Sequence, residues 1–178
     1  AEEVLEANDP VLGLMRRCGQ VLEDVVARRV SPLEALFPGG SVDLVAAVYS
    51  RSDAMRYVNV LLAGALEAVA AARGPRAQLR VLEVGAGTGA TTAAVLPCLP
   101  PERTTYCFTD VSPHFLDRAR AQFAAVPFLR HALLDIDRDA GEQGFAPGTF
   151  DVVLAANVVH AARDLRGALN GMRQVWFE

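Results

Sequence analysis

Residues 79–92 read LRVLEVGAGTGATT, and the reading of this stretch decides the fold. An apolar run (Val81, Leu82, Val84) meets a glycine-rich turn (Gly85, Gly87, Gly89), and the threonines that follow open an Ala-rich segment of helical character up to Pro97. Strand, tight turn and helix succeed one another. Glycines in such a turn let the backbone come close to a ligand, while the N–H groups at the helix start face it. The pattern predicts a site for a nucleotide-type cofactor, although glycine-rich loops also make plain turns.

Downstream of this stretch, β-branched runs alternate with helical ones. The sequence predicts a first strand over 81–84 with its helix over 88–96, and a second strand over 106–109 followed by a helix over 113–123 behind a Ser112 cap. A third strand is expected over 128–134, a fourth over 150–155 and a last helix over 164–175. This alternation calls for a parallel sheet covered by helices on both faces, with ligands beyond the carboxyl ends of the strands. Upstream, the first 75 residues read as all-helical. Asp9 and Pro10 cap a helix with apolar residues at helical spacing to Val26, and Ser31-Pro32 opens a short one with Glu34 near the capping-box position. Ser41 is the expected cap of a third helix through Tyr49, and 54–73 form a long fourth, stopped by Gly74-Pro75. The expected organisation is a helical subdomain over 1–75 and an α/β core over 76–178.

Composition narrows the function. The 178 residues are 52% hydrophobic and 21% charged, enough for one well-cored domain with an appendage. A formal charge of -4, with arginine as every one of the 17 basic residues, argues against a nucleic-acid groove. Cys18, Cys98 and Cys107 are widely spaced, which disfavours a disulfide framework or a metal site and suits small core residues in a reducing compartment. No run was expected to have the apolar length of a membrane span, and the opening AEEVLEAND does not read as a signal peptide. A soluble, cytoplasmic chain is the expectation.

Several polar residues fall at predicted strand ends. Asp110 closes the second strand and can accept hydrogen bonds from both hydroxyls of a ribose lying across the glycine turn; its other reading is a cap for the helix that follows. Asp135 ends the third strand, within reach of an adenine amino group or simply in a solvated turn. Glu83 lies inside an apolar strand, and an unpaired buried carboxylate would cost several kcal/mol, so a cation or a set of N–H donors should meet it. The ammonium end of an amino-acid-bearing cofactor would do so, directly or through water. Asn157 and His160 follow the fourth strand; a histidine there takes a proton at neutral pH or serves as a structural residue. His114 and His131 read as surface or packing residues.

Taken together, LEVGAGTGATT, FTDVSPHF, LLDIDRDAGEQGF and FDVVLAANVVHAARDL resemble the class I S-adenosylmethionine-dependent methyltransferases, and more narrowly the C-methyltransferase domains of type I polyketide synthases. The N-terminal helices, with their LFPGG turn, are similar to the lid region of that family. The resemblance implies a Rossmann-like core beneath a helical lid and S-adenosylmethionine as cofactor. It implies that Gly85, Ala86, Gly87, Thr88 and Gly89 wrap the methionine end with Glu83 behind them. Asp110 and Val111 would take the ribose side, Asp135 and Ile136 the adenine, and Asn157 the pocket wall. It further implies His160 as the base that removes the α-proton of a β-ketoacyl chain on an acyl carrier protein, Tyr49 as a lid residue orienting it, and neighbouring synthase domains as partners. The family carries seven strands, a PGG turn and a glutamate supporting the histidine. Here the sequence runs MRQVWFE, so the core is expected to be incomplete, with Glu178, 18 residues after His160, as the candidate glutamate. A truncated, structural methyltransferase-like domain without turnover is the alternative; a nicotinamide-dependent reductase is disfavoured by Glu83.

Overall fold

In the computed structural model, which describes residues 9–177, strand β1 (Leu79–Glu83) is the centre of the core. Leu79, Val81, Leu82 and Val84 are all fully buried, as a central parallel strand covered on both faces requires. It pairs in parallel with β2 (Thr104–Asp110) on one side and β4 (Val152–Leu154) on the other, and β3 (Leu129–Leu133) pairs outside β2. The resulting order β3-β2-β1-β4 makes the chain reverse direction across the sheet between β1 and β4. Register aligns Glu83 with both Phe108 and Leu154, and Asp110 with Leu133, so the loops after all four strands leave from one edge. A crevice at such a switch point is where ligands bind in α/β sheets. The expected Rossmann-like sheet is therefore present.

Alternation along β1 separates two apolar clusters. Leu79 and Val81 join Tyr106, Phe108, Leu129 and Leu154 under helices α4 (Asp53–Ala72), α5 (Ala90–Val95) and α6 (Pro113–Gln122), through residues such as Leu66, Val95 and Leu116. Leu82 and Val84 face the other way, with Cys107, Leu134, Phe145, Phe150 and Val175 of α7 (Leu165–Val175). Burial pushes the Cys107 thiol up to about 11, while Cys18 and Cys98 are half-buried free thiols. Strand β4 is shorter than the sequence predicts. Phe150 instead exchanges bonds with the chain after α7, accepting from Phe177 N–H at 2.7 Å and donating to Val175 O at 2.9 Å. Trp176 thus bridges to Phe150 in parallel on the outer side of β4.

The helices before the sheet start where their caps place them. Asp9 Oδ1 accepts the Val11 N–H at 2.8 Å at the head of α1 (Pro10–Val26), and Ser31 Oγ accepts the Leu33 N–H at 3.2 Å at the head of α2 (Pro32–Leu36). Glu34 does not close a capping box: Oε1 accepts the Gly39 N–H at 2.9 Å and holds the PGG turn. Helix α3 (Asp43–Arg51) begins two residues beyond Ser41, whose Oγ receives the Asp43 N–H at 3.2 Å. By length and composition α4 would suffice to cross a membrane, against the expectation from sequence, yet Ala63, Leu66 and Ala70 on it are core residues of the sheet's first cluster. Compactness divides the chain into Ala1–Leu61 and Leu62–Glu178, inside α4, because its second half packs with the sheet. Glu178 lies outside the described residues.

At the amino edge of the sheet, Asp151 has a fully buried side chain. Its Oδ2 accepts the Arg80 backbone N–H at 2.8 Å and Arg80 Nε at 3.1 Å; Oδ1 accepts Arg80 Nη2 at 2.8 Å and Arg73 Nη2 at 2.9 Å. Burial alone would raise its pKa, but the Arg80 bonds and the Arg73 and Arg80 charges outweigh that and hold it below the ordinary carboxylate value. A depressed folded pKa stabilises the protein above the unfolded value and loses that contribution as pH falls through the folded one. Asp151→Ala is expected to lower unfolding free energy in urea by about 2 kcal/mol, the low end for a broken buried pair because both arginines remain partly exposed, and to reduce the dependence of stability on pH on the acid side.

Candidate active site

The glycine turn leaves β1 and is pinned to the ends of its neighbours. The Ala86 N–H donates to Thr109 O at 2.9 Å and the Gly87 N–H to Asp110 Oδ2 at 2.9 Å. Gly85 has φ +61, and a Cβ there would overlap Val158 Cγ2. Gly89, at φ +75, is the N-cap of α5, and a Cβ on it would stand 2.9 Å from Phe123 Cε2. Both positions demand glycine for conformation and for space. The helix opens at Ala90 rather than Thr88, since the turn needs Gly89 outside it. Gly85, Ala86, Gly87 and Thr88 are half-buried at the lip of the crevice.

Asp110 is 6% exposed and organises the turn it was expected to complement. Besides the Gly87 N–H it accepts the Ser112 N–H on Oδ1 at 2.8 Å, so it also shapes the entry to α6, whose N-cap is Ser112. A carboxylate has about four acceptor positions, and two are used here. Val111, beside it, is 65% exposed.

Glu83 finds two hydroxyl partners within the chain. It is 1% exposed and meets neither a cation nor N–H donors among the described residues; Oε2 accepts Thr92 Oγ1 at 2.5 Å and Tyr106 OH at 2.7 Å. The reason is period two: Glu83 shares its sheet face with Val81, the face on which Tyr106 and α5 pack. Burial raises its carboxyl from 4.5 to about 7, the two hydroxyls pull it back and the Asp110 charge adds to the rise. At neutral pH this group therefore sits near its midpoint. Thr92 and Tyr106 were not singled out from sequence; the signal was available in the second threonine after the turn and in a tyrosine inside an apolar strand.

Asp135, Asn157 and His160 lie beyond the ends of β3 and β4, at the same sheet edge. Asp135 follows β3, its Oδ1 accepting the Asp137 N–H at 2.9 Å and its own N–H and carbonyl held by the Gln143 amide at 2.8 and 2.9 Å. Asp135 Oδ1 thus closes a turn, and Ile136 packs against the second apolar cluster. Asn157 is exposed and left-handed, with φ 55, where the chain leaves β4. His160 is exposed in a 3₁₀ turn, Val159–Ala161, and its imidazole has no hydrogen-bond or ion-pair partner among the described residues. Tyr49 is in the other compact unit, half-buried on α3 with its carbonyl accepting Asn59 Nδ2 at 3.4 Å. His131 lies within β3 against the Phe108 ring, centroids 5.7 Å apart, in a packing role.

Known proteins with this arrangement are consistent in kind. A family described as "Methyltransferase domain" matches residues 82–176. Polyketide synthase ThaG of Burkholderia thailandensis is 44% identical over 156 residues, which is 85% of this chain and 3% of that protein. The crystal structure of the CurJ carbon methyltransferase superposes with a TM-score of 0.91 at 34% identity, covering 97% of this chain and 45% of that one. The trans-methyltransferase CalH, solved as a complex with SAH, gives a TM-score of 0.74 at 33% identity over 94% of this chain and 46% of its own. The chain spans under half the length of these solved relatives and a small part of the synthase.

The Glu83 environment predicts a pH signature. Between pH 4.5 and about 7 the folded protein keeps a proton that the unfolded chain has released, so stability falls as pH rises through this window. Glu83→Gln has no such proton to keep. Urea unfolding across the window is expected to show a flatter pH dependence in the variant than in the parent.

Proposed function

The chain belongs to the methyltransferase-domain family, and on that premise we propose that it C-methylates the α-carbon of a β-ketoacyl chain carried by an acyl carrier protein, within a polyketide synthase. The observation that supports this most is the shared sheet edge: β1 and β4 end level with each other, β2 and β3 end level two residues further on, and the glycine turn, Asp110, Asp135, Asn157 and His160 lie at or beyond those ends. The residues fit S-adenosylmethionine. Gly87, at φ +54, has open space over its backbone, with nothing nearer to a Cβ there than Gly85 O at 3.9 Å, and Asp110 has acceptor positions left after its two amide bonds. When bound, the cofactor supplies a methyl group made electrophilic by a sulfonium charge.

In this reading Ala86, Gly87, Thr88 and Gly89 hold the methionine end, Asp110 and Val111 the ribose, Asp135 and Ile136 the adenine, and Asn157 the wall. Glu83 acts from behind the turn, through its charge: near its midpoint at neutral pH, it ionises more readily when a cation is near. His160 takes the acidic proton between the two carbonyls of the substrate, leaving that carbon nucleophilic. Its exposure lets a tethered substrate reach it. The helical segment 1–75 acts as a lid, with Tyr49 orienting the acyl chain, and neighbouring synthase domains deliver the carrier in the cytoplasm.

The alternative reading is a structural domain without turnover. Calorimetric titration with S-adenosylmethionine followed by a methyl-transfer assay on a β-ketoacyl thioester separates the two. The transfer reading expects binding and product, with His160→Ala lowering the rate by about 10²- to 10⁴-fold at unchanged cofactor affinity. Binding without product favours the structural reading; no binding overturns the cofactor assignment.

A further inference from the structure

We propose that Asp137 is a positioning residue for His160, fixing from the far side the turn whose near side is seated on Gly85. His160 lies between two closures, the Ala161 N–H on Val158 O at 2.9 Å and the Ala162 N–H on Val159 O at 3.2 Å. Two such bonds on exposed backbone give a turn little order of its own. Its upstream end is set by shape. Asn157 turns the chain in a left-handed conformation, and Val158 then packs over Gly85 so closely that no side chain fits there.

The downstream end is set by a carboxylate from a different loop. Asp137 Oδ1 accepts the Arg163 N–H at 2.8 Å, and Oδ2 stands 3.7 Å from Arg163 Nε. Asp137 is itself held: its N–H donates to Asp135 Oδ1, and Gln143 grips both backbone groups of Asp135. A continuous series of bonds therefore runs from Gln143 through Asp135 and Asp137 to Arg163, three residues beyond His160. The guanidinium is 91% exposed, so its ion pair contributes little, and the bond to the backbone N–H does the holding. The loop after β3 and the histidine turn become one connected piece. This rests on the transfer reading for the role of His160, whereas the clamp itself does not.

Hydrogen exchange on the full chain tests the clamp without any activity. Asp137→Ala is expected to speed exchange of the Ala161 and Ala162 amides about tenfold, with the amides of β1 unchanged. Asp137→Asn, whose amide oxygen still accepts from Arg163 N–H, should return them to the parent rate. Asp137→Ser, too short to reach, serves as a second disrupting variant if the alanine change loosens the whole fold. In methyl transfer, Asp137→Ala should lower kcat more than it raises KM for the thioester, again with rescue by asparagine. Unchanged Ala161 and Ala162 exchange in both disrupting variants, or no rescue by asparagine, overturns the proposal. Absent transfer in the parent chain would overturn the transfer reading alone and leave the exchange result to decide the clamp.

Discussion

The Gly85–Gly89 turn closes on itself through a single backbone bond, Gly89 N–H to Ala86 O at 3.0 Å, and the geometry of this site depends on how the rest of it is held from outside. Thr109 O and Asp110 Oδ2 take the Ala86 and Gly87 amides from the β2 side, while Val158 fills the space over Gly85 from the β4 side. Both anchors exist because β1 sits between those strands, with β4 ending level with it and β2 running two residues further. The parallel sheet therefore does more than expose loops at one edge. It supplies the acceptors and the apolar contact that give the turn a single shape.

Beneath the turn, the same packing sets a charge balance. Glu83 lies on the crowded face of β1, where only the hydroxyls of Thr92 and Tyr106 reach it, and burial raises it to about 7. Asp110, a few residues away across the sheet, contributes repulsion. A carboxylate poised in this way gives the region its sensitivity to a nearby positive charge. Asp151 at the opposite end of the strands shows the contrast: also buried, it is ringed by arginine donors and stays ionised. One end of the sheet is built for stability, the other leaves a carboxylate unsettled.

Much of this was legible in the sequence, for reasons that can be traced. Strand periodicity around LRVLEVGAG identified β1 and the sheet, and caps such as Asp9 and Ser31 placed helices because their side chains satisfy local backbone donors. The family-like blocks placed Asp110, Asp135 and His160 at strand ends. Less legible were partners distant in sequence. Nothing near Glu83 announces Thr92 and Tyr106, nothing near Arg163 announces Asp137, and the length of β4 depends on Phe150 exchanging bonds with Val175 and Phe177.

By itself the sequence determined which segments are strands or helices, that a glycine turn follows β1, and which polar residues lie at the carboxyl edge. Those follow from local propensity and period, which each segment carries in itself. Only the tertiary structure decided that Asp110 shapes the turn before it can touch a ligand, that the hydroxyls of Thr92 and Tyr106 meet Glu83, and that the histidine turn is tied to the loop after β3. Each of these depends on strand order and register, and strand order is fixed by which faces bury against which, a property of the whole packed core.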